Sequence, residues 1–144
     1  MKMKIAIGSD HAGFELKEKI QQFLKSRNFE VMDYGCHDTQ SVDYPDVIHP
    51  IASLISHDNS LRGIILCGSG NGVAITANKH KGIRCALCWN PEIAELARKH
   101  NDANVISIPA RFVSENVALS MVEIFLSTEF EGGRHLTRVN KIDL

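Results

Sequence analysis

The chain has 144 residues, 44% hydrophobic and 23% charged, with a formal net charge of −1. Those values fit one globular domain over residues 1–144, large enough for a sizeable core. The near-neutral balance excludes the global field of a nucleic-acid or membrane-surface binder. No run reaches the roughly 20 apolar residues of a membrane span. The apolar run in MKMKIAIGSD is too short for a signal peptide, so a cytoplasmic protein is expected.

Met3–Gly8 (MKIAIG) reads as the first strand, followed by Ser9-Asp10-His11. Ala12–Arg27 has helical spacing through Phe14, Leu16, Ile20, Phe23 and Leu24, and Phe29–Met32 is a second strand. Asp43-Tyr44-Pro45 opens a second helix through Val47, Ile51, Leu54 and Ile55. A third strand at Gly63–Leu66 feeds the glycine-rich Cys67–Gly72, and Val73–Asn78 is a short helix. Gly82–Cys88 is the fourth strand, and Asn90-Pro91-Glu92 supplies a cap, an N1 proline and an acid for a helix to about His100. Asn104–Ile108 is the fifth strand, and Ser114-Glu115-Asn116 opens a helix carrying Val117, Met121, Ile124 and Phe125. Arg134–Leu144, after Gly132-Gly133, is a short helix or an arm. Strands alternating with helices predict an α/β fold, a doubly wound Rossmann-like three-layer sandwich with a five-stranded parallel sheet. Ligands bind such sheets beyond the carboxyl ends of the strands, where Asp10-His11, Cys67-Gly68-Ser69 and Arg111 fall.

The stretch Leu61–Gly72 (LRGIILCGSGNG) carries most of the chemistry. A strand running into a glycine-rich turn at a helix start leaves backbone N–H groups aimed at one point, an anion nest. Cys67 at its lip is placed to act as a thiolate. Glycine turns are also common connectors, and most buried cysteines are inert small hydrophobes. No Gly-Lys-Ser/Thr follows, and the glycine spacing departs from the dinucleotide fingerprint, so a nucleotide is not indicated.

The remaining groups are individually ambiguous. Asp10 can simply cap a helix, and His100 can be a favourable charge at a helix end, next to Asn101. Arg134 and Arg138 are four apart, so on a helix they share a face and could grip one phosphate. Cys85 and Cys88 form a C-x-x-C within a strand reading, which sends the two thiols to opposite faces and argues against a metal or redox pair. With no secretion signal, all four cysteines are expected to be free. His37, His49, His57, His80 and His135 show no ligand-like spacing.

Several stretches, in order and nearly end to end, resemble the type-B ribose-5-phosphate isomerases and the related galactose-6-phosphate isomerase subunits. They are GSDHAGFELK, DYPD at Asp43–Asp46, CGSGNGVAITANK at Cys67–Lys79, GIRCAL, RKHNDANV at Arg98–Val105, Ala110-Arg111 and FEGGRHLTRV at Phe130–Val139. The resemblance implies aldose–ketose isomerisation of ribose 5-phosphate and ribulose 5-phosphate, a pentose phosphate pathway step, with no metal or organic cofactor. It implies Cys67 as the base that moves the C2 proton to C1, and Ser69 as a proton shuttle between the sugar oxygens. The N–H groups of Gly68, Ser69, Gly70, Asn71 and Gly72 would meet the enediolate charge. His100 would open the sugar ring with Asp10 assisting, and Asn101 would hold hydroxyls. His11, Arg111, Arg134 and Arg138 would clamp the phosphate, and Tyr44 would line the pocket. In a second branch a glutamate after the glycine loop is the base; here that position is Val73. The family also implies a homodimer or dimer of dimers with shared sites.

Two alternatives remain open from the residues alone. One is isomerisation of a six-carbon sugar phosphate such as galactose 6-phosphate or allose 6-phosphate. The other is a non-catalytic flavodoxin-like domain that binds an anion at the glycine loop.

Overall fold

The parity of the strands decides which face each side chain covers. A computed structural model describes residues 3–144. Its strands are β1 (Lys4–Ser9), β2 (Glu30–Asp33), β3 (Arg62–Cys67), β4 (Cys85–Leu87) and β5 (Val105–Pro109). The helices are α1 (Phe14–Ser26), α2 (Tyr44–Ser56), α3 (Asn71–Ala77), α4 (Pro91–Asn101), α5 (Glu115–Ser127) and α6 (Arg134–Val139). Ile5, Ile7, Ile64, Leu66, Ile106 and Ile108 pack with Ile20 and Leu24 of α1, Ala94 and Ala97 of α4, and Met121 and Phe125 of α5. The alternate positions Ala6, Ile65, Cys67 and Val105 pack with Ile48, Ile51 and Ile55 of α2 and with Val73 and Ala77 of α3. Alternation with period 2 thus builds two cores, one on each face of the sheet.

All strands are parallel, in the order β2-β1-β3-β5-β4. Right-handed crossovers turn that order into layers. Leftward steps (β1 to β2, and β4 to β5) place α1 and α4 on one face, and rightward steps place α2 and α3 on the other. This is the expected doubly wound α/β sandwich. The strand order switches between β1 and β3, where a crevice opens beyond their carboxyl ends.

Two of the departures from the expected boundaries have a clear local cause. The first helix begins with a 3-10 turn at His11–Gly13, and the Asp10 carboxylate accepts the Gly13 N–H at 3.1 Å. The fourth strand is shorter than Gly82–Cys88, because the Asn104 side chain takes the Arg84 N–H (2.8 Å) and donates to the Gly82 carbonyl (2.8 Å). On the free edge of β4 the Asn78 amide brackets Cys85, accepting its N–H at 2.8 Å and donating to its carbonyl at 3.0 Å. That bracket shields an edge strand from stray pairing. Of the two forms expected for the terminal segment, a short helix or an arm, it takes the helix, α6, after Gly132 and Gly133 turn the chain at φ +70° and +58°. As expected, Asn90 caps α4, accepting the Ile93 N–H at 2.9 Å.

Candidate active site

At the end of β1, Asp10 is buried, and its backbone N–H donates to the Leu66 carbonyl at 3.2 Å. This bond ties the first site segment to the last residues of β3. His11 Nδ1 accepts the Val42 N–H at 3.4 Å, which leaves Nε2 as the ring's donor. Asp10 therefore does cap a helix turn, and it does so at the rim of a cleft.

At the end of β3, Cys67 is 6% exposed, and its carbonyl accepts the Ala110 N–H at 2.9 Å. The loop after it is fixed at each glycine. Gly70 sits at φ +76°, and a Cβ there would come within 2.5 Å of Leu87 Cδ1. Its carbonyl accepts the buried Ser107 hydroxyl at 2.6 Å. A Cβ on Gly72 would strike the Tyr44 ring at 2.6 Å, and one on Gly68 would sit 3.1 Å from an Arg111 guanidinium nitrogen. Glycine lets both side chains lie against the loop. Among the described residues, no acceptor takes the N–H of Gly68, Ser69, Gly70 or Gly72. The Asn71 N–H donates to Ser69 Oγ at 3.3 Å. These free N–H groups beside a thiol form a nest for developing negative charge.

A cleft of about 400 Å³ joins Asp10, His11, Tyr44, Cys67, Gly68, Ser69, Gly72 and Arg111, with Ala12 and Phe112 completing the wall. Its volume is in the range of small-molecule sites. Phe112, 76% exposed at the rim, is not among the residues expected from the sequence. Its position directly after Arg111 was the only available signal. Gly70 lies behind the loop, and Asn71 faces a neighbouring groove with Ile75, Asn78 and Leu87.

Besides Gly70 and Asn71, four expected site residues lie farther from the cleft. Cys67 pairs with Pro109 at one end of the β3–β5 ladder and Gly63 pairs with Val105 at the other. Those ends are roughly 13 Å apart along the strands. His100 and Asn101 close α4 just before β5 begins, so they occupy the amino-terminal edge, opposite Cys67. Arg134 and Arg138 are exposed on α6, which packs against α4. One chain cannot bring these four to the Cys67 cleft.

Around His100 the structure shows a partner that sequence spacing hid. The rings of His100 and His135 stack with centroids 4.3 Å apart. Both Nε2 atoms face Glu131 Oε1, at 3.7 Å and 3.6 Å. Burial, then His100 and the nearby arginine Arg134, push the His135 pKa down. Only the four-residue step from Glu131 to His135 was readable in the sequence. Cys85 and Cys88 pack against opposite faces of the sheet. Burial pushes the Cys88 thiol up to about 12 and raises Cys85 as well. Neither is a ready thiolate. Among the described residues no helix is long and apolar enough to cross a membrane.

A profile described as ribose/galactose isomerase matches residues 5–142. The chain is 41% identical to ribose-5-phosphate isomerase B of Escherichia coli K12, over 96% of this chain and 93% of that one. A ribose 5-phosphate isomerase structure from Thermotoga maritima is 48% identical, covers 99% of both chains and superposes with a TM-score of 0.96. Another, from Mycoplasma genitalium with bound ribulose-5-phosphate, is 40% identical with a TM-score of 0.95, covering 99% of this chain and 95% of that one. The chain belongs to the ribose/galactose isomerase family of sugar-phosphate isomerases.

Proposed function

We propose that this chain interconverts ribose 5-phosphate and ribulose 5-phosphate, with Cys67 as the base and with each active site assembled from two copies. The observation that carries this reading is the Cys67 side chain in one cleft with the free N–H groups of Gly68, Ser69 and Gly72. Removing the C2 proton of the open-chain aldose places negative charge on the adjacent oxygen, and the loop N–H groups stabilise that enediolate. The thiol returns the proton to C1, and the exposed Ser69 hydroxyl passes a proton between O1 and O2. Val73, where the other branch of the family has its glutamate, is fully buried in the core. It leaves Cys67 as the acid–base group at the loop.

His100 of a second copy opens the sugar ring with Asp10 of the first, and Asn101 holds the hydroxyls. His11 and Arg111 on one side, and Arg134 and Arg138 from the other copy, clamp the phosphate. Exposed apolar side chains near these elements suit such pairing: Ile75 on α3, Leu96 on α4 and Leu136 on α6. A homodimer is the smallest assembly that completes the site, and a dimer of dimers also satisfies it. The substrate is a free sugar phosphate, and the step belongs to pentose phosphate metabolism in the cytoplasm.

The test is ketose formation from ribose 5-phosphate by the purified protein and by Cys67→Ala. Turnover should fall by about 10²-fold or more in the variant while substrate still binds. Full activity in Cys67→Ala would remove the assigned base. Wild-type turnover on allose 6-phosphate or galactose 6-phosphate, with none on ribose 5-phosphate, would move the substrate to six carbons.

A further inference from the structure

The geometry points to a divalent transition-metal site formed by His100, Glu131 and His135 at the amino-terminal edge of the sheet. Three potential ligand atoms, one from each residue, lie within 4.8 Å of one another. Two imidazoles and one carboxylate form a donor set suited to zinc, nickel or copper rather than to magnesium or calcium. The site joins two separate elements. His100 closes α4, and the Glu131 N–H donates to the Lys99 carbonyl at 3.1 Å, anchoring the carboxylate residue beside it. The turn at Gly132-Gly133 then starts α6, which presents His135 four residues after Glu131.

The spacing is slightly open for a bound ion. Ligand bonds of about 2.0–2.2 Å draw donor atoms to within roughly 3.5 Å of each other. The two Nε2–Oε1 separations of 3.7 and 3.6 Å need only small shifts, and the two stacked rings must rotate so that their lone pairs converge. Side-chain exposures of 42% for His100 and 49% for Glu131 leave room for that adjustment. Three protein ligands leave coordination positions for water. The other close histidine pair, His49 Nδ1 and His80 Nε2 at 2.7 Å, belongs to none of the three-residue groups of this kind among the described residues.

A bound ion would take the Nε2 lone pair of His100. On the reading of His100 as the ring-opening acid, filling the site therefore inhibits the isomerase. This consequence rests on that reading, whereas the site itself does not.

The test is calorimetric titration of the chelator-treated full chain with Ni²⁺, followed by sugar-phosphate turnover at each degree of saturation. One ion should bind per chain, and His135→Ala and Glu131→Gln should each weaken it by about tenfold or more. His80→Ala should bind as tightly as wild type. Circular dichroism of the variants separates loss of a ligand from loss of fold. Absence of binding, or binding unchanged in both His135→Ala and Glu131→Gln, would overturn the site. One bound ion per chain with turnover unaffected would uphold the site and instead count against His100 as the acid.

Discussion

The two edges of the sheet are built to different standards of rigidity. At the carboxyl edge, the Cys67–Gly72 loop is fixed by a left-handed glycine, a buried Ser107 hydroxyl and side chains resting on its glycines. Cys67 itself is buried. At the amino edge, Arg134 and Arg138 are exposed, and His100 and Glu131 meet at distances longer than a hydrogen bond. On the proposed reading, the difference teaches how work would divide between the two copies that share a site. Proton-transfer groups would need a preorganised frame, whereas groups that crossed to a second copy would gain their order on assembly.

Cys67→Ala should sharpen this contrast most, with the loss of about 10²-fold or more in turnover and little change in melting temperature. Arg134→Ala should raise KM for the sugar phosphate by about tenfold while leaving stability unchanged, because its side chain is exposed. Initial rates together with thermal melts separate the two effects. Gly70→Ala should act on the frame instead: a left-handed alanine costs about 1–2 kcal/mol, and its Cβ meets Leu87 at 2.5 Å. Denaturant unfolding should show a loss above that figure, and an unchanged midpoint would break the claim that this loop is fixed by its glycines.

The smallest effect concerns acid. Burial, then His49, lowers the His80 pKa, so the unfolded chain binds a proton more readily than the folded one. Stability is therefore fully present above the unfolded histidine value of about 6.5 and declines as pH falls through it towards the lower folded value. His135 is shifted in the same direction, so melting between pH 7 and 5 should show this slope and His80→Gln should reduce it.

The carboxyl edge was legible in the sequence because its chemistry is local. A strand, a thiol and three glycines within one loop specify both the turn and its free N–H groups. The start of β4 was not legible, since Asn78 and Asn104 reach it from other elements and take over its backbone bonds. The meeting of His100 with His135 was hidden for the same reason: α6 folds back over α4 only in three dimensions. Asp10 shows a third case. Its cap role and its place in the cleft coexist in one carboxylate.

The central claim is that each site takes Cys67 from one copy and His100 from another. Mixing separately inactive Cys67→Ala and His100→Asn chains, with unfolding and refolding together, tests it most directly. In a random dimer mixture half the dimers are mixed and each carries one intact site, so roughly a quarter of wild-type turnover should return. Mixtures as inactive as either parent would contradict the account and confine the chemistry to a single chain.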